Sequence, residues 1–116
     1  MKKYFAVYRA PVSVLEEWAK TSPKKRKPME EKMRGEWGVW MKKHESMVTE
    51  TAGLGKTKLV TPKGVSDAKN DMMLYSIVEA ESHEAAAKIF EGHPHLGIPE
   101  ASIEIMGVNV LPGMSS

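Results

Sequence analysis

Met72–Ala80 reads MMLYSIVEA. Leu74, Tyr75, Ile77 and Val78 supply the aromatic and β-branched content of a strand, and the nearly continuous apolar run predicts a central one. The chemistry changes directly afterwards. Ser82 predicts the N-cap of a helix, with Glu84 in the first turn, where the helix dipole favours negative charge. Ala86, Ile89 and Phe90 form its apolar face. Gly92 then reads as the C′ stop, and Pro94 prevents the helix from resuming. Residues 102–111 (SIEIMGVNVL) predict the last strand, with an irregularity at Gly107. Residues 113–116 read as a frayed tail.

Upstream of the central strand, 62–71 reads as a polar loop and 56–61 (KTKLVT) as a strand. Residues 51–55 read as a turn. A long helix is predicted over 29–48. With Trp37 at zero on a wheel of about 100° per residue, Met33, Trp40, Met41, His44 and Val48 all fall within about 60° of it. Gly35 and Gly38 lie off that stripe and weaken the helix by roughly 1 kcal/mol each relative to Ala. Residues 21–28 (TSPKKRKP) read as a solvated loop. Residues 12–20 predict a short helix carrying Val14, Leu15 and Trp18. Residues 4–10 (YFAVYRA) predict the first strand, stopped by Pro11.

The order strand, helix, strand, strand, helix, strand is the ferredoxin-like split βαβ arrangement (βαββαβ). It is an α+β fold, an antiparallel sheet with helices on one face. The uncovered face, expected to show Leu74, Ile77 and Val78, needs a partner. A homodimer packed sheet against sheet supplies one.

The chain has 116 residues, 41% hydrophobic and 28% charged. One core, hence a single domain over 1–116, is what this length supports. A formal net charge of +2 implies no polyanionic partner. The absence of cysteine removes disulfides, thiol catalysis and cysteine-held metals. No stretch reads as a signal peptide or membrane span, so a cytoplasmic protein without a membrane partner is expected.

Two motifs fail on their context. GKT at 55–57 lacks the glycine that a phosphate loop needs five residues earlier, where Glu50 stands, and the flanking elements come in the wrong order. KKRK at 24–27 is followed at once by Glu30 and Glu31, so a solvated run is the better reading and no nucleic acid is expected. His44 sits in the apolar stripe beside Trp40 and Trp37, which fits either plain core packing or an aromatic-lined pocket. His93-Pro94-His95 is the sharpest local feature. Two imidazoles hang from a loop fixed by Gly92 and Pro94, and imidazole titrates near neutrality. No ligand spacing resembles a zinc signature, so no metal and no cofactor is expected.

Several of these stretches together resemble YCII-related proteins, the DGPF group. They are Gly92-His93-Pro94-His95-Leu96, SIEIM at 102–106, Leu111-Pro112-Gly113, YSIVEAES at 75–82, and Trp37-x-x-Trp40-Met41 ahead of Gly53-Leu54-Gly55-Lys56-Thr57. The resemblance implies a ferredoxin-like fold that dimerises through its sheets into an α+β barrel, with a cleft in each protomer. It also implies a catalytic pair, a histidine on the long helix and an aspartate before a proline. This sequence departs at both places: the helix position falls near Glu36, and the Asp-Pro becomes His93-Pro94. The DGPF tetrad itself is missing.

The expected function is therefore the binding of a small organic molecule between the long helix and the sheet. His93 and Glu36 are the candidate catalytic pair for cofactor-free acid/base chemistry. Trp37, Trp40, His44 and His95 are the candidate ligand-binding residues. The alternative is a non-catalytic regulatory or interaction module, in which the tryptophans are core and the His93–His95 loop is structural.

Overall fold

In the computed structural model, which describes residues 1–114, Met72–Ala80 is a strand over the whole predicted span. The elements are β1 (Lys2–Arg9), α1 (Val12–Lys20), α2 (Pro23–Lys43), β2 (Val48–Gly53), β3 (Thr57–Thr61), β4 (Gly64–Ala68), β5 (Met72–Ala80), α3 (His83–Lys88) and β6 (Ser102–Gly107). A 3-10 turn over Pro94–Gly97 precedes β6. Four strands form one antiparallel sheet in the order β2-β5-β1-β6. This is the ferredoxin-like α+β topology, with β3 and β4 added as a separate two-stranded hairpin.

Side-chain alternation decides what each face carries. Tyr4, Ala6 and Tyr8 of β1 and Val78 and Ala80 of β5 point to one side, where Trp40 of α2 and Ala86 and Phe90 of the α3 region close over them. The register pairs Tyr4 with Val78 and Tyr8 with Leu74. Leu74 packs against this core and Val78 is fully buried in it. Of the three residues expected on the open face, only Ile77 is there, because period two puts Leu74 and Val78 on the helix side. The other face instead carries Phe5 stacked on Tyr75 at 5.5 Å, with Ile77 half-buried and Val7 already buried beside them.

Four element boundaries differ from the sequence reading. Residues 23–28 are helix, because Pro23 occupies the first turn, where its missing N–H costs nothing. Pro28 sits inside the helix at an exposed position, so the carbonyl it leaves unpaired lies on an exposed stretch of the helix rather than in the core. The helix stops at Lys43, and Val48 joins β2. There the β-branched Val48 and Thr51 pair with β5, Thr49 bulges between them with its hydroxyl donating to the Ile77 carbonyl at 3.1 Å, and the Glu79 N–H donates to the Met47 carbonyl at 2.8 Å. The second strand of the sheet is thus 48–53, expected in part to be helix and turn. Residues 57–61 pair only with β4, in the stretch read as a polar loop, and Gly64 at φ +124° supplies the turn between them. The last strand ends at Gly107, short of the predicted 111. Of the expected tail 113–116, the last two residues lie outside the described ones.

The second helix begins as read: the Ser82 hydroxyl accepts the Ala85 N–H at 3.1 Å. Phe90 is 3% exposed. Phe90→Ala should therefore lower unfolding free energy by about 3–5 kcal/mol, and Ser82→Ala by about 1 kcal/mol. Urea titrations of the two variants check both values.

Candidate functional site

After α3 the chain turns at Gly92, whose φ of +71° lies in the left-handed region that glycine adopts without strain. The turn drives His93 inward. Pro94 then fixes the backbone into the 3-10 turn, with His93 as its N-cap. Both imidazoles are fully buried, each 1% exposed. They do different things. His95 Nε2 donates to the Arg9 carbonyl at the end of β1, at 2.8 Å. That bond pins the loop to the sheet.

The His93 ring lies in an aromatic enclosure. Its centroid is 4.3 Å from Trp37 and 4.4 Å from Trp40, both edge to face. Tyr8 stands at 5.2 Å and Phe90 at 6.1 Å. Trp40 is held by its indole N–H, which donates to the Ile89 carbonyl at 2.9 Å, and His44 packs 4.7 Å from it at the helix end. The long helix thus contributes Trp37, Trp40 and His44 from one face, as the wheel expected, and the loop contributes His93 and His95.

Hydrogen bonding assigns the His93 tautomer. The His95 backbone N–H donates to His93 Nδ1 at 2.9 Å. Nδ1 is therefore a lone pair, and in the neutral ring the proton sits on Nε2. Nε2 is buried and has no hydrogen-bond partner among the described residues. A buried donor left unmade costs roughly 1–3 kcal/mol.

Electrostatics keep the ring neutral. Burial pushes the His93 imidazole down to about 4, and the neighbouring His95 and His44 push the same way. Burial also lowers His95, outweighing the carbonyls of Arg9 and Ser102 that favour its charged form. His44 is lowered by burial and then by Lys43.

Glu36 is not brought to this cluster. It is exposed and forms no ion pair among the described residues. One residue before Trp37, it projects about 100° away from the aromatic stripe. The group that orients His93 is a backbone N–H, not a carboxylate.

Tyr8 was not singled out from the sequence. Its hydroxyl hydrogen-bonds Ser76 at 2.8 Å, and Ser76 in turn bonds Thr51 at 2.7 Å. This chain of hydroxyls crosses β1, β5 and β2 behind the histidines, and burial raises Tyr8 to about 12. The available signal was period-two alternation, which places Tyr8 on the face of Tyr4 and Ala6.

Two open clefts lie outside this cluster. One of about 770 Å³ runs between α1 and the base of the β3–β4 hairpin. Another of about 300 Å³ lies between α3 and β6 and is walled by Phe90. Neither is lined by a histidine.

Because the native state holds His93 below its ordinary value of 6.5, the unfolded chain binds the extra proton between pH 6.5 and about 4. Native stability should be complete above pH 6.5 and fall by about 3 kcal/mol on acidification to pH 4. Urea midpoints against pH check this, and the His93 part of the slope should vanish in His93→Phe. Nitrogen-15 chemical shifts at neutral pH should show Nε2 protonated and Nδ1 bare.

No family model matches the chain, and no curated protein matches it. Among solved structures, it is similar to 5-chloro-2-hydroxyhydroquinone dehydrochlorinase of Burkholderia phenoliruptrix AC1100, in complex with 2,5-dihydroxybenzoquinone. The identity is 15% and the TM-score 0.46, over 87% of this chain and 90% of that one.

Proposed function

We propose that this is a YCII-related protein that binds a small organic molecule at His93, between α2 and the sheet. The observation that carries this reading is the buried, unpartnered Nε2–H of His93. A fixed donor in an aromatic enclosure is complementary to a flat, mostly apolar molecule bearing an acceptor oxygen, a carbonyl or an ionised hydroxyl. A neutral imidazole that cannot pick up a proton near pH 7 would polarise that oxygen through a hydrogen bond while keeping its own proton, so the chemistry it supports is cofactor-free electrophilic stabilisation of developing negative charge, with His93 as the hydrogen-bond donor. Trp37, Trp40 and His44 form the wall that must shift to admit the ligand. His95 holds the loop.

In the same reading the protein works in the cytoplasm as a homodimer, one domain per chain. No helix among the described residues is long and apolar enough to cross a membrane. The sheet face carrying Phe5, Val7, Tyr75 and Ile77 is the surface that the dimer would cover. A second reading, a non-catalytic interaction module, is favoured by one fact: neither open cleft described above reaches a histidine.

Tryptophan fluorescence separates the two readings, since Trp37 and Trp40 lie against His93. Titration with phenol, benzoate and 1,4-benzoquinone should quench it saturably with at least one of the three. His93→Phe, which refills the enclosure without the donor, should weaken that binding at least about tenfold while the protein stays folded. Absence of saturable quenching with all three would favour the interaction module. For the dimer, light scattering at micromolar concentration should give about twice 12.9 kDa, and Ile77→Lys should shift the mass toward the monomer.

A further inference from the structure

The β3–β4 hairpin is not absorbed by the site or by the sheet. Among the described residues its strands pair only with each other. A two-stranded ribbon alone is marginal in water. Its base is nevertheless fastened: Asn70 Nδ2 donates to Thr57 Oγ1 at 3.0 Å, and Lys69 pairs with Glu16 of α1 at 3.3 Å. The ribbon is therefore aimed rather than loose, and what it aims is apolar. Val60 lies directly opposite Val65, and the two are 72% and 68% exposed. On the same face Lys58 pairs with Asp67, so the charges there cancel within the hairpin. The result is a nearly neutral face with an apolar pair at its centre, the composition of an interface core rather than of a solvated arm.

The surface area says how large the missing contact is. A compact monomer of 12.9 kDa exposes roughly 6,300 Å². This chain exposes 8576 Å², about 2,300 Å² more. Its radius of gyration is 16.4 Å, against about 13 Å for a compact chain of this length. Obligate dimers bury about 1,000–2,500 Å² per partner, so the excess matches one copy's share of such an interface.

We propose that the β3–β4 hairpin is a dimer arm, whose Val60–Val65 face packs on a second copy of this chain. The proposal rests on the homodimer of the preceding section and adds to it a contact outside the sheet face. Two-fold symmetry makes the contact reciprocal, so each protomer gives an arm and receives one.

The test uses the full chain and sedimentation at graded concentrations. The native protein should sediment as a dimer, and Val60→Lys with Val65→Lys should raise its dissociation constant at least about tenfold with an unchanged circular dichroism spectrum. Because the chain has no cysteine, Val65→Cys carrying a bimane label gives a second readout that spares the fold. Its emission should shift to the blue over the concentration range in which the mass doubles. A dimer weakened by Ile77→Lys but indifferent to the lysine pair, with the bimane emission constant, would overturn the arm and leave the sheet-to-sheet dimer standing. A native protein monomeric at every concentration would overturn both.

Discussion

Everything at the candidate site depends on the register of β1 against β5. Tyr4, Ala6 and Tyr8 face the helices only because Tyr4 lies opposite Val78 and Tyr8 opposite Leu74. A slip of one residue would turn Val7 and Arg9 inward and put both tyrosines in water. The hydroxyl chain from Tyr8 through Ser76 to Thr51 guards against that slip. Its three members come from three adjacent strands, and each would lose a partner in another register. The same register sets the Arg9 carbonyl that holds His95 and the Tyr8 ring that backs His93.

The cluster built on this frame is unusual in its polarity. Four aromatic rings surround a neutral histidine, and the charged or titratable groups that act on it are other histidines. A catalytic histidine paired with a carboxylate would be held cationic or ready to become so. Here burial works the other way and a backbone amide takes Nδ1, leaving a neutral donor of fixed direction. An arrangement that keeps a buried N–H unmade at a stability cost is a place where function is expected.

The outer face and the hairpin share one physical origin. A single layer of helices over one four-stranded sheet, with the hairpin beside it, gives a slab 19 Å thick and 51 Å long. Such a shape cannot turn all its apolar side chains inward, and those left over collect on the far side of the sheet and along the ribbon. The stacked Phe5–Tyr75 pair is half-buried on the far side of the sheet, whereas Val60 and Val65 stand exposed on the ribbon, as do Met106, Val108, Val110 and Leu111 at and after the end of β6.

What the sequence by itself determined is local. The strand MMLYSIVEA and the Ser82 cap follow from propensity and hydrogen-bonding reach over a few residues, and both stand in the structure; Gly92 is left-handed, but it closes the turn after α3 rather than capping the helix, which already ends at Lys88. The juxtaposition of Trp37, Trp40 and His44 was legible too, because a helix repeats every 3.6 residues whatever surrounds it. Pro23 misled, since proline opens a helix as readily as it ends one. Residues 48–53 misled because pairing with a strand far along the chain outweighed the place of Val48 on the helical stripe and the turn reading of 51–53. Tertiary structure alone decided that Tyr8 meets Ser76, sixty-eight residues away, that Glu36 faces water, and that His93 ends with one nitrogen bonded and the other bare. Those outcomes depend on which distant segments share a sheet, and no local preference of the residues involved encodes that.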